Sequence, residues 1–169
     1  MGGEKTSAAG RFVDKRRKTP IHLPTFDQGN RSTVVFITVC TRDRRRILAD
    51  AAVHRVLVNA WESANFWSVG RYVIMPDHVH LFASPSRLPP DSLQQWMRFW
   101  KSTSARNWPL AGERTVWQVH YWDRQLRSGE SYSEKWEYVR NNPVRAGLVQ
   151  KAEEWPYQGE LNRLWWHDA

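Results

Sequence analysis

Two short stretches hold the side chains best suited to chemistry. The first is Met75-Pro76-Asp77-His78-Val79-His80-Leu81-Phe82. Residues two apart in a strand share a face, so His78 and His80 point one way while Val79 and Leu81 point into the opposite layer. Two imidazoles side by side can share a divalent cation, each through one ring nitrogen. By itself His-x-His is a weak pattern, and two ordinary polar-face histidines would read the same way. The second stretch is Trp136-Glu137-Tyr138-Val139-Arg140-Asn141-Asn142-Pro143-Val144-Arg145-Ala146-Gly147-Leu148. On one helix Tyr138 and Asn142 are i and i+4 neighbours. That places a phenol, a potential nucleophile, beside an amide oxygen that could be a third metal ligand. It also reads as a tyrosine packed at a helix end, with asparagine as a cap before proline. His22, His54, His120 and His167 have no partner at ligand spacing, although His120 falls on an expected strand near the pair. Tyr132 is six residues from Tyr138 and roughly on the opposite helix face. Cys40 reads as a core residue.

The elements that must carry these side chains follow from periodicity. Thr33 to Cys40 (TVVFITVC) is dense in β-branched residues and predicts a buried strand. Asp50 is an N-cap ahead of a helix whose apolar positions are Val53, Val56, Leu57, Ala60 and Ala64. Val69 to Met75 and His78 to Ser84 predict two strands joined by the Pro76-Asp77 turn into an antiparallel hairpin. After a loop from Pro85 to Pro90, Asp91 caps a second helix with Leu93, Trp96, Met97 and Trp100 on its core face. Trp108-Pro109 and Gly112 close it. Val116 to Trp122 predicts a fourth strand, Gly129 a break, and Ser131 to Asn141 a third helix stopped by Pro143 and Gly147. The order β-α-β-β-α-β followed by a helix predicts an α+β chain. It is the pattern of a ferredoxin-like (RRM-like) sandwich with an antiparallel sheet. Residues 1–31 read as a basic arm, 32–150 as one domain, and 151–169 as a tail packed on it.

Composition bounds the function. A chain of 169 residues suits one domain, and 41% hydrophobic with 25% charged residues is the balance of a soluble globular protein. No apolar run approaches a bilayer span and mean hydropathy is −0.68, which excludes a membrane-embedded chain. The lone cysteine and the lack of a hydrophobic leader predict a reducing, cytoplasmic setting. Net charge is +8. Residues 1–46 hold 11 Lys/Arg and 4 Asp/Glu, a net of +7, whereas residues 47–169 hold 14 and 13, a net of +1. The excess gathers at Lys15, Arg16, Arg17, Lys18 and at Arg42, Arg44, Arg45, Arg46. Such clustering suits a polyanion partner, or a solvated arm that aids solubility.

Taken together the two stretches are specific. A His-hydrophobic-His strand, followed roughly sixty residues later by Tyr-x-x-x-Asn-Pro-Val-Arg-x-Gly-Leu-Val, resembles the REP-associated tyrosine transposases of the single-tyrosine HUH superfamily. Thr38-x-x-Thr41-x-x-Arg44, Met97-x-x-Trp100-Lys101-Ser102, and Trp117-Gln118 with Asp123 add to the likeness. It covers about Thr33 to Trp155. One departure is Arg124, where the family often has a histidine after the aspartate.

The resemblance implies an HUH motif on a central strand and a catalytic tyrosine on a C-terminal helix. His78 and His80 would hold Mg²⁺ or Mn²⁺, with Asn142 as a further ligand. Tyr138 would attack phosphorus, giving a 5′-phosphotyrosine and a free 3′-hydroxyl. The implied partner is single-stranded DNA carrying a palindromic hairpin. The expected setting is cytoplasmic and nucleoid-associated, with a monomer preferred over a helix-swapped dimer. Arg16, Arg17, Arg42, Arg44, Arg45 and Arg46 are then candidates to grip phosphates, as are Lys101 and Arg106 on the second helix. Two competing readings are a catalytically silent nucleic-acid binder on the same fold and another HUH nuclease such as a replication initiator. The intact set His78, His80, Tyr138 and Asn142 argues against the first, and the small size against the second.

Overall fold

In the computed structural model the described residues are 33–87, 89–112, 115–127 and 130–166. Arg16 and Arg17, His22, Gly129 and His167 lie outside them. Strand β1 (Val35–Cys40) alternates as its sequence predicts: Val35, Ile37 and Val39 are buried, while Phe36, Thr38 and Cys40 face the other way. Helix α1 (Ala51–Ser63) starts at Asp50, whose carboxylate accepts from the Ala52 and Val53 amides at 2.8 and 3.1 Å. Strands β2 (Trp67–Ile74) and β3 (His78–Pro85) form the predicted hairpin. Helix α2 (Leu93–Arg106) follows, then strand β4 (Trp122–Gln125), helix α3 (Tyr132–Arg140), the short helix α4 (Asn142–Arg145) and strand β5 (Gln158–Glu160).

The strands form one sheet in the order β4-β1-β3-β2-β5, with every neighbouring pair antiparallel. The first four in this order are those of the split β-α-β arrangement expected from the sequence. Helices α1 and α2 cover one face. Val53, Leu57, Ala60 and Trp61 of α1 and Leu93, Trp96, Met97 and Trp100 of α2 pack there on Ile37, Val39, Val79 and Leu81. Trp96 and Trp100 are fully buried, as their place on the apolar face of α2 predicts. On the other face, Tyr132 and Val139 of α3 pack with Val73, Phe82, Trp155 and Leu164. The sheet thus has one face given to the larger core. Its other face is only partly roofed, and His78 and His80 stand there.

Several boundaries differ from the sequence reading. Ser92, not Asp91, caps α2, accepting from the Gln95 amide at 3.3 Å. Asp91 is instead paired with Arg87 at 2.6 Å, and its carbonyl accepts the Trp67 indole N–H at 3.0 Å. The fourth strand begins only at Trp122. Upstream, Trp117 makes an isolated bridge to Thr41, and its ring is drawn down into the α2 core, where its N–H donates to Ser104. Between bridge and strand the chain bulges outward: the four residues Thr38 to Thr41 oppose the six residues Trp117 to Trp122. His120 lies in that bulge, exposed and outside any strand. Finally, the segment after residue 150 adds β5 to the edge of the sheet beside β2. Trp155 is buried with its indole N–H donating to the Ile74 carbonyl at 2.9 Å, whereas Trp165 is exposed.

Candidate active site

Register places the histidine pair. Thr38 lies opposite His80 and Cys40 opposite His78, so these four side chains share the face away from α1 and α2. The Nδ1 atom of His78 donates to the Asp77 carboxylate at 2.6 Å, since an ionised carboxylate can only accept. That leaves a bare Nε2 lone pair, aimed at the Nε2 of His80 at 3.1 Å. The Nδ1 of His80 meets the Thr38 hydroxyl at 2.8 Å, a group able to donate or accept and so to serve either tautomer. Each ring is held from behind, as a metal-ligating imidazole usually is.

A tight turn supplies the next layer. Asp43 and Arg44 both have left-handed backbones, with φ of 57° and 55°. Buried Thr41 ties this turn to the hairpin, its hydroxyl donating to the carbonyls of Arg45 at 2.8 Å and Asp77 at 3.0 Å. The turn swings Arg44 back so that it pairs with Asp77 at 2.8 Å and donates to the Cys40 sulfur at 2.7 Å. Cys40 is therefore half-buried at the site and not a core residue.

Burial holds the His80 imidazolium down to about 3, and the charges of His78, Arg44 and Arg145 act in the same direction. Burial lowers His78 too, against the opposing pull of Asp77. For Asp77 burial acts upward, but its hydrogen bond and charge contact with His78, together with Arg44, leave the carboxyl below its ordinary value. Both imidazoles are consequently neutral at pH 7, the form that binds metal. Among the described residues no group of three or more His, Cys, Asp or Glu is placed to hold a metal ion.

An open cavity of about 670 Å³ adjoins the pair. It is lined by Phe36 and His80 from the sheet, by Glu134, Lys135, Tyr138 and Val139 of α3, and by Asn142. The sequence placed Tyr138 and Asn142 on one helix, but α3 ends at Arg140 and Asn142 opens α4. The reason is Pro143, which has no N–H to donate and crowds the preceding turn. The break still leaves both side chains on the same cavity. Arg145 ties them together. Its guanidinium lies over the Tyr138 ring at 4.1 Å, donates to the Tyr138 carbonyl at 2.8 Å, and bonds the Asn142 amide oxygen. Tyr138 is 68% exposed, whereas Tyr132 is buried with its hydroxyl accepting from the Arg71 amide, so only Tyr138 presents a phenol to the cavity.

The remaining candidates are placed elsewhere. Lys101 is partly buried at the β4 bulge, donating to the carbonyls of Gln118 at 2.5 Å and Val119 at 3.1 Å, and desolvation brings its ammonium down to about 8. Arg106 is exposed at the end of α2, across the sheet from the histidines. Arg42 and Arg46 are exposed beside the turn, and Arg45 donates to the Thr115 carbonyl at 2.5 Å. His54 bonds the Tyr72 hydroxyl at 2.8 Å, as a satisfied structural histidine should. Sequence reasoning assigned no site role to Asp77 or Arg145. The first was read as a turn residue, although an acid directly before a ligand histidine is a recognisable orienting pair. The second stood inside the motif without a role.

Residues 32–142 match the family described as "Transposase IS200 like", a span that opens just before β1 and ends at Asn142 itself. A REP-associated tyrosine transposase of Escherichia coli (strain K12) is 23% identical over 125 residues, covering 72% of this chain and 73% of the relative. A solved structure of a REP-associated tyrosine transposase bound to a REP hairpin shares the fold. Its TM-score is 0.64 at 21% identity, covering 86% of this chain and 82% of that one. With the match running through the histidine pair, the tyrosine and the amide alike, the chain belongs to the IS200-like transposase family and is an enzyme of the tyrosine transposase kind.

Proposed function

We propose that this protein cleaves and rejoins single-stranded DNA beside a palindromic hairpin, through a covalent link at Tyr138. The observation that carries the reading is the shared cavity: His80, Tyr138 and Asn142 line it, with the Nε2 of His78 turned to that of His80. The Tyr138 oxygen attacks phosphorus and the bond from phosphorus to the 3′ oxygen breaks. The phenol gives its proton to water in the open cavity, and the leaving 3′ oxygen takes one up from water, so the products are a 5′-phosphotyrosine and a 3′-hydroxyl. A free phenol has a pKa of about 10, so the developing charge needs stabilisation. Transposases of this family generally use a divalent metal, and the donors in this chain suited to Mg²⁺ or Mn²⁺ are His78, His80 and Asn142. When bound, such a cation polarises the scissile phosphate. Asp77 and Thr38 hold the two rings in place, and Arg145 holds the phenol and the amide together. Because the link conserves the phosphodiester, rejoining needs no nucleotide cofactor.

The hairpin partner is supported by the neighbour bound to a REP hairpin. Exposed Arg42 and Arg46 beside the turn are available for flanking phosphates, and Arg16 and Arg17 of the arm belong to the same proposal, whereas Arg106 stands across the sheet from the cavity. His78→Ala and His80→Ala should each abolish cleavage of a hairpin oligonucleotide while gel-shift binding persists. Chelation with EDTA should do the same, reversed by added Mg²⁺ or Mn²⁺. Cleavage that survives chelation contradicts the metal reading.

A further inference from the structure

The tryptophans of α1, β2 and α2 are sunk: Trp61, Trp67, Trp96 and Trp100 are each no more than 2% exposed, while Trp136 of α3 is partly buried against the second core. Trp122 is 55% exposed, yet it opens a strand of the same sheet. Its place is informative. Thr38 of β1 lies opposite His80 on β3 and opposite Trp122 on β4. His80, Thr38 and Trp122 therefore form one row across three strands, on the face that carries the cavity. Neighbouring strands are about 4.8 Å apart, so the indole rises from backbone about 10 Å from that of His80. Stacked nucleotides advance about 3.4 Å each along a strand, which puts a base within a few nucleotides of the scissile phosphate at this row's end.

We infer that Trp122 is a stacking platform for one unpaired base of the substrate strand beside the cleavage point. This rests on the function proposed above and adds a binding subsite to it. A flat apolar ring at the sheet edge gains by covering its exposed face. A nucleobase is the occupant that a strand held at His80 and Tyr138 by the proposed reaction would bring to this row. Next on the same face is Arg124, which the Glu130 carboxylate holds at 2.6 Å, so it is already paired and turned toward the cavity rim. Stacking reads the π-face that every base has, so the subsite would position the strand without selecting its sequence.

The test uses the full-length protein and a fluorescent hairpin oligonucleotide with single-stranded oligo(dT) flanks, in which an abasic residue is moved stepwise from the stem. With wild type, one abasic position should weaken binding by between about 5-fold and about 150-fold, the range of a single base–aromatic stack. Trp122→Ala should lose a similar factor on the intact oligonucleotide and show no further loss at that abasic position. Trp122→Phe should recover most of the affinity, with thermal melting unchanged in both variants. Equal abasic penalties in wild type and Trp122→Ala, or unchanged affinity in Trp122→Ala, overturn this proposal alone. A wild type that neither binds nor cleaves the hairpin overturns the reading of the active site, and the subsite with it.

Discussion

At the scale of residues, the sequence exposes what is unusual by type and conceals what is unusual by placement. Two histidines on alternate strand positions and a tyrosine four before an asparagine are weak patterns singly and become specific only as a pair of stretches. Asp77, Arg44 and Cys40 read as turn, phosphate grip and core. They meet at the histidine pair only because Asp43 and Arg44 take left-handed backbones, which no residue type there announces. The buried imidazole has a measurable consequence. His80 is neutral in the native state down to about 3, whereas an unfolded histidine takes up a proton near 6.5. Because the unfolded state binds the extra proton, stability is full above pH 6.5 and falls as the pH drops toward 3. In EDTA, wild type should lose roughly 2 kcal/mol from this group alone between pH 7 and pH 5. Guanidinium titrations at the two pH values should show a smaller loss in His80→Asn, and equal losses would contradict the assignment.

At the scale of elements, long periodic segments were legible and short ones were not. The strand density of 33–40 and the apolar stripes of α1 and α2 each leave one arrangement that buries them. Strand β5 is Gln158-Gly159-Glu160, a composition that avoids strands and forms one here only because the edge of β2 is open to it. Strand β4 starts late because burying Trp117 takes precedence over continuing the ladder. The β2–β3 ladder holds a bulge between Val69 and Tyr72, and Gly70 stands in it. A methyl group there would lie 2.6 Å from Leu164 Cγ and 3.0 Å from the Tyr132 hydroxyl, on the face that α3 and the C-terminal segment cover. Gly70→Ala should displace Leu164 and cost about 1–3 kcal/mol, the range for overpacking a filled core. Chemical denaturation measures this directly. A variant as stable as wild type would show that the C-terminal segment is not clamped against β2.

At the scale of the whole molecule, the sheet separates stability from chemistry. One face carries α1, α2 and the tryptophan-rich core. The other carries the histidines, and α3 brings the tyrosine to them within the same chain. Among the described residues no helix is long and apolar enough to cross a membrane. This division explains why the fold class could be read from periodicity while the convergence of two stretches roughly sixty residues apart came from the family likeness. Only the packing of α3 on Phe82 and Val73 makes them one site. On the proposed function this one chain becomes covalently joined to DNA through Tyr138. Wild type incubated with Mg²⁺ or Mn²⁺ and a hairpin oligonucleotide labelled on the 3′ side of the cleavage point should give a slow-migrating labelled band on a denaturing gel. Tyr138→Phe should give none while binding the hairpin nearly as well. A band that persists in Tyr138→Phe, or that depends on Tyr132 instead, would contradict the account.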